Sequence, residues 1–274
     1  MLLIDHPAPA RSTMLLIQEK IALPFPPPGI SRPRLLNLLK CSLETCTTTV
    51  ISGRAGTGKT TLAVDFARTC GRRVTWYKVD ATDVELQIFL SYLVSSIEQQ
   101  LPGFGERTLA ALAQPQLQSS TRAADAFIYE LLEYDREPLL VVLEDLHLVC
   151  EGEWLVPFLC RLLPLLPRKV HILITSRTMP PAPLWRMRSK QTLQVIDEPM
   201  LSFTRPEALA LFEMYGLSSE LARAAYDRSR GKAGSISAYA RALSSPLTVE
   251  PGYAPESDAT GGENHEPAVE ESLT

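Results

Sequence analysis

Two spacings of apolar residues divide the chain. Between Asp83 and Leu101, Leu86, Phe89, Leu90, Leu93, Val94 and Ile97 recur every three or four positions, as on one face of a helix, and Pro102-Gly103 closes the block. Arg32–Leu43, with Leu35, Leu36, Leu38 and Leu39, predicts a second helix, and residues 121–134 and 154–166 predict two more. Between these blocks lie short runs of another kind. Leu139–Leu143 is apolar at every position, which suits a strand covered on both sides in a parallel sheet. Thr47–Ser52, Arg73–Asp80, Lys169–Thr175 and Leu193–Ile196 are the other strand candidates. Strands alternating with helices predict an α/β fold: a parallel five-stranded sheet flanked by helices, with right-handed crossovers. From Thr204 onward the pattern is helical only, over 205–215, 218–229 and 235–243, and Thr204 with Glu207 forms a capping-box pair.

One loop in this alternation carries chemistry. Gly53-Arg54-Ala55-Gly56-Thr57-Gly58-Lys59-Thr60, followed by Thr61, meets the Walker A pattern G-x-x-x-x-G-K-[ST] in full. A β-branched strand precedes it and the helical spacing of Thr61–Arg68 follows. That order turns backbone N–H groups and a helix N-terminus toward a phosphate chain. Nucleotide binding through residues 53–61 is the expectation.

Composition bounds the rest. A hydrophobic content of 45% with 21% charged residues is that of a globular protein. The net charge of −4 is uneven: residues 246–274 hold seven acids and no Lys or Arg, so residues 1–245 carry +3. That excess is too small to argue for nucleic acid. The acidic tail, with its Pro, Gly, Ser and Thr, reads as disordered, and residues 1–31, with Pro24, Pro26, Pro27 and Pro28, as an extended lead-in. Five cysteines without a C-x-x-C pair and four scattered histidines give no metal or disulfide framework. Neither a signal peptide nor an apolar run of membrane-spanning length is evident, so a cytoplasmic setting is expected.

A phosphate loop needs an acid to hold Mg²⁺. Leu139–Leu143 ends in Glu144-Asp145, which has that form; Thr60 would add a hydroxyl, and a second acid could polarise an attacking water. Alternatively, the pair caps a strand and faces solvent. Arg177, closing the strand Lys169–Thr175, reads equally as a γ-phosphate ligand or as an ordinary surface arginine. Arg32 and Arg34 stand just before the first strand, near the nucleotide or simply solvated.

Together, residues 53–61, Leu-Val-Val-Leu-Glu-Asp-Leu-His-Leu-Val (140–149) and Val-His-Ile-Leu-Ile-Thr-Ser-Arg (170–177) resemble the nucleotide-binding domain of STAND-class P-loop NTPases. The likeness is to the MalT-like branch of large LuxR-type activators, related to AAA+ and NB-ARC ATPases. Lys20–Pro28, Ser31–Leu36, Trp76–Asp80 with Asp83 and Phe89, and Leu201–Thr204 with Glu207-Ala208 extend it over roughly residues 18–244. The resemblance implies an ATP/ADP switch with slow hydrolysis, working in signalling or transcriptional regulation. It gives Lys59 to the β/γ-phosphates, Thr60 and Glu144 to magnesium, Asp145 to water activation and Arg177 to γ-phosphate sensing. Arg32 and Arg34 fall near the adenine side.

This sequence departs from that pattern in three places. Glu144 stands where the family usually has Asp. Gly231-Lys232-Ala233 keeps a glycine and lacks the family's proline. The chain has no room for the family's winged helix, sensor repeats or DNA-reading helix, so a protein partner is expected and direct DNA binding is not. The expected organisation is lead-in 1–31, P-loop domain 32–200, helical subdomain 201–245 and acidic tail 246–274. A P-loop small-molecule kinase and a hydrolysis-deficient nucleotide-binding scaffold are the alternatives.

Overall fold

Five short apolar runs become strands: β1 (Thr48–Ser52), β2 (Arg73–Lys78), β3 (Leu139–Glu144), β4 (Val170–Ser176) and β5 (Leu193–Ile196). All pairings are parallel, in the order β2-β3-β4-β1-β5. The computed structural model describes residues 15–26, 28–113, 119–134, 137–181 and 184–244, apart from the side chains of Trp185 and Arg186. The acidic tail and the first fourteen residues of the lead-in lie outside these. The expected parallel five-stranded sheet is thus present. Its order sets the tips of β3, β4 and β1 side by side, at the carboxyl ends where open α/β sheets bind ligands.

The helices are α1 (Pro33–Thr45), α2 (Lys59–Thr69), α3 (Leu86–Glu98), α4 (Glu106–Ala113), α5 (Ser120–Glu133), α6 (Leu155–Leu162), α7 (Trp185–Ser189), α8 (Glu198–Leu201), α9 (Arg205–Met214), α10 (Ser219–Ser229) and α11 (Ala233–Ser244). The short α7 and α8 and the alanine-rich α4 were not among the sequence expectations. The helix expected over 154–166 stops at Leu162, and a 3-10 turn carrying Pro164 follows. The second strand ends at Lys78 instead of running to Asp80, because Asp80 and Asp83 form a reciprocal capping box around a turn at 81–83.

Side-chain alternation in β3 divides the core. Leu139, Val141 and Leu143 pack on one sheet face with Phe89, Phe127 and Phe158. Leu140 and Val142 pack on the other face with Leu35, Leu62, Phe66 and Trp76. Fully burying each such side chain contributes about 1.5–3 kcal/mol. A third apolar cluster joins α9, α10 and α11 through Leu211, Phe212, Ala222, Ile236 and Ala240. Thr204 caps α9 through the reciprocal bond with Glu207 that the sequence pattern anticipates.

The described part of the lead-in is not simply extended. Gln18–Lys20 forms a 3-10 turn, and Lys20 and Ile21 are buried. The Lys20 ammonium lies 2.7 Å from Asp83 and 4.6 Å from the centre of the Tyr92 ring, and the Tyr77 hydroxyl donates to Asp83 at 2.9 Å. His171 is a core histidine, within hydrogen-bond distance of the Cys46 carbonyl and the Thr49 hydroxyl; burial brings its pKa down to about 4. All five cysteines are free thiols. Among the described residues no helix is long and apolar enough to cross a membrane.

Candidate nucleotide site

The glycine loop leaves the tip of β1 and turns into α2 at Lys59. Gly58 caps that helix at φ 86°, and Gly56 has φ 78°; both lie in the left-handed region that L side chains rarely adopt. The Gly53 N–H donates to the Ser176 carbonyl at 3.2 Å, which ties the loop's root to the tip of β4. Inside the loop, the Lys59 ammonium donates to the carbonyls of Gly53 (2.5 Å) and Arg54 (2.9 Å). Burial lowers the Lys59 pKa, and the charge of Asp145 works against that shift.

β3 delivers the two acids differently. Glu144 is its last residue and is only 4% exposed. Its Oε1 accepts from the Thr60 hydroxyl at 2.6 Å, and its Oε2 from the Trp76 indole N–H at 3.1 Å. Asp145 breaks the strand with φ 58° and ψ 38°, a left-handed conformation that costs a non-glycine residue about 1 kcal/mol or more. The Asp145 N–H donates to the Thr175 hydroxyl at 3.0 Å, so β4 holds the turn in place. The carboxylate stays partly open and lies 3.8 Å from Nδ1 of His147. Burial lowers the His147 pKa. Arg177, exposed just past β4, is close enough that its charge is felt at both Lys59 and His147. Lys59, Thr60, Glu144, Asp145 and Arg177 therefore gather at one end of the sheet.

The donor set suits magnesium. Among the described residues no group of three or more His, Cys, Asp or Glu could hold a metal alone. Magnesium needs only one or two protein oxygens when phosphates and waters supply the rest. The hydrogen-bonded Thr60 hydroxyl and Glu144 carboxylate form such a pair, and no basic side chain is hydrogen-bonded to that buried carboxylate among the described residues.

A cleft of about 200 Å³ opens beside the loop. Ile30, Arg32, Gly56, Thr61, Phe203 and Gly234 are among its lining residues. Arg32 stacks over the Phe203 ring, 4.8 Å from its centre, and donates to the Ser202 carbonyl and to Glu207. Arg34 is not among the lining residues. Its guanidinium donates to the carbonyls of Met200 and Ser202 and to Glu207. Both arginines thus tie the start of α1 to the segment leading into α9.

Sequence reading missed three contacts at this site. Arg54 donates to Glu198 of α8 from its backbone N–H (3.0 Å) and from its guanidinium (2.7 Å). The hydrogen bonds from Arg54 bring the Glu198 carboxyl down to about 2. Gly234 packs directly on Gly56. Trp76 reaches Glu144 from the neighbouring strand. Only the Gly-Lys-Ala stretch at 231–233 hinted that the C-terminal helices approach the loop. Gly231 itself holds φ 78° and packs against the Phe203 carbonyl.

A family model described as an AAA ATPase domain matches residues 32–175. The HTH-type transcriptional regulator MalT of Serratia proteamaculans (strain 568) is 29% identical over 204 residues, covering 73% of this chain and 22% of that protein. MalT of Yersinia enterocolitica is 29% identical over 203 residues, with the same coverage of 73% and 22%. The chain therefore spans 22% of the length of these curated relatives. Among solved structures, a Pyrococcus horikoshii STAND protein with a tetratricopeptide repeat sensor is 15% identical, covering 74% of this chain and 28% of that one, with a TM-score of 0.43. A Walker-type ATPase of Pyrococcus abyssi is 15% identical, covering 77% and 66%, with a TM-score of 0.47. The family match runs from Arg32, ahead of α1, to Thr175 in β4, and so takes in the glycine loop and both acids; the chain belongs to the AAA ATPase domain family.

Proposed function

We propose that this chain binds ATP with Mg²⁺ at the glycine loop, hydrolyses it slowly, and serves as a regulatory switch read by a protein partner. The observation that carries this reading is the 2.6 Å bond between the Thr60 hydroxyl and the Glu144 carboxylate, beside a lysine on the same loop. Buried acids are costly unless they are hydrogen-bonded or hold a cation. This one meets the helix that starts at the phosphate loop.

Each residue then has a role that its surroundings support. The N–H groups at the start of α2 and the Lys59 ammonium would hold the phosphates, with Lys59 exchanging its two loop carbonyls for phosphate oxygens. Thr60 and Glu144 would hold Mg²⁺, which when bound neutralises phosphate charge. Asp145, held out of the strand by the Thr175 hydroxyl, would orient and deprotonate the attacking water. Arg177 would meet the γ-phosphate, since a planar guanidinium binds two phosphate oxygens at once. The cleft at Ile30, Thr61 and Phe203 would take the base, with Arg32 in its wall.

Switching follows from where that cleft lies. One wall is the loop and the other is α11, which carries Ala233 and Gly234. A bound nucleotide would touch both, so its departure would change how α9–α11 sit on the loop. The resemblance to MalT supports a regulatory use of that change, and a cytoplasmic location fits it. Nucleotide titration combined with single-turnover hydrolysis tests the whole reading. Micromolar ATP binding with turnover far slower than that of metabolic kinases is the expected result; absence of binding would overturn it.

A further inference from the structure

Glu144 raises a question of reach. Its side chain carries one methylene more than aspartate, and extra length means extra freedom at a position that must hold a cation. The fold removes that freedom. Trp76 pairs with Val142 across β2 and β3, and Lys78 pairs with Glu144, so Trp76 sits two positions diagonally from Glu144 on the adjacent strand. Trp76 packs on the sheet face that α1 and α2 cover, together with Leu140 and Val142. Glu144 continues that alternation and meets α2 at Thr60. At this diagonal separation a long aromatic side chain reaches across. The indole N–H accordingly donates to Oε2 at 3.1 Å, and both residues are almost fully buried, 2% and 4% exposed.

We propose that Trp76 is a positioning residue for the magnesium carboxylate: its indole N–H pins Oε2, so that Oε1 is the oxygen presented to Thr60 and to the cation. The two Glu144 oxygens have different duties because their donors come from different elements, α2 and β2. Thr60 belongs to the phosphate loop and its hydroxyl can turn from Oε1 to the cation. Trp76 is locked in the core with a donor-only nitrogen, so its bond to Oε2 persists whether or not the cation is bound. Hydrogen bonds to a ligand carboxylate orient it, and losing them typically costs 10–100-fold in metal affinity. Glutamate's extra methylene becomes useful here, because it lets one carboxylate meet the indole and the loop hydroxyl together.

This inference rests on Glu144 being the magnesium acid, and the test separates the two claims. ADP affinity is measured by calorimetry with excess Mg²⁺ and with EDTA, for the full chain and for Trp76→Phe and Glu144→Gln. In the unaltered chain Mg²⁺ is expected to tighten ADP. Glu144→Gln is expected to erase that gain, and Trp76→Phe to cut it by about tenfold while leaving the EDTA affinity unchanged. A gain that survives in Glu144→Gln removes the magnesium role of Glu144, and the proposal with it. A gain lost in Glu144→Gln but kept in Trp76→Phe overturns the role of Trp76 alone. Should Trp76→Phe not fold, indole ¹⁵N–¹H spectra decide the matter, with Trp154→Phe and Trp185→Phe used to identify the remaining signal. The bond persists, but a cation on Oε1 would draw charge from the carboxylate that accepts the indole N–H, so adding Mg²⁺ to the ADP-bound chain is expected to shift the Trp76 signal; a signal that stays fixed overturns the proposal.

Discussion

Gly234 and Gly56 meet backbone to backbone: a Cβ on Gly234 would lie 2.5 Å from the Gly56 carbonyl oxygen. Gly234 is in the first turn of α11, and Gly56 is inside the glycine loop. The contact makes two consequences of Gly234→Ala oppose each other. Alanine is the better helix former by about 1 kcal/mol, which alone would raise the melting temperature. The new methyl meets backbone, so α11 must withdraw from the loop and the cleft must widen. The expected outcome is ATP binding weakened several-fold with little change in Tm. A more stable variant with unchanged affinity would show that α11 takes no part in closing the site.

Lys59→Ala tests the phosphate assignment. The ammonium now satisfies two carbonyls and is drawn toward Asp145. Its hydrogen bonds to phosphate would be charge-assisted, each contributing roughly 1.5–3 kcal/mol. Loss of the side chain is therefore expected to weaken ATP at least tenfold, as read by calorimetry or a fluorescent nucleotide. Equal affinities would remove the loop from phosphate binding.

Acid should loosen the tie between α1 and α9. Burial pushes the Glu207 carboxyl up, but hydrogen bonds from Arg32 and the Thr204 N–H and the charges of Arg32 and Arg34 outweigh it. The folded pKa therefore lies below the ordinary value of 4.5. A carboxyl depressed on folding contributes stability that is fully present above its unfolded pKa and is lost as pH falls through the folded one. Glu207→Gln leaves the buried Arg32 uncompensated and is expected to cost ~3 kcal/mol at pH 7. The difference in Tm between the unaltered chain and Glu207→Gln should shrink below pH 4.5, and a constant difference down to pH 3 would refute the ion-pair account.

What could be read in advance follows from separation along the chain. The glycine loop is contiguous, and the acids follow an unbroken apolar run, so both declare themselves locally. The parallel sheet follows from alternation of elements, whereas the strand order β2-β3-β4-β1-β5 depends on pairings between runs far apart in the chain. Glu198 lies 144 residues from Arg54, and Glu144 lies 84 from Thr60 and 68 from Trp76. Only the Thr60 partnership had a motif to announce it. Trp76 stood out in sequence only as part of the segment Trp76–Asp80 that carries the resemblance, and its nitrogen matters only once β2 lies beside β3. Lys20 was hidden by its neighbours: prolines suggested an extended segment, while its partner Asp83 is 63 residues away. The place of Arg34 in the chain left the nucleotide side and solvent both open, and its guanidinium's partners Met200, Ser202 and Glu207 lie 166 to 173 residues away.

Asp145→Asn isolates charge from shape. Asparagine tolerates the left-handed backbone at φ 58° and keeps the N–H that donates to Thr175. The turn should therefore persist, and Tm should stay where it is. What disappears is the carboxylate that would take the water's proton, a contribution of about 10²–10⁴-fold in comparable steps. Single-turnover hydrolysis is expected to fall by at least ~10²-fold while ATP affinity holds, so ATP should dwell longer on the chain. Asp145→Ala serves as the contrast: it loses the same charge and also the left-handed tolerance, so its Tm should drop where that of Asp145→Asn does not. A hydrolysis rate unmoved by Asp145→Asn would take Asp145 out of the chemistry, and would leave its strained backbone as a consequence of the turn into Leu146 alone.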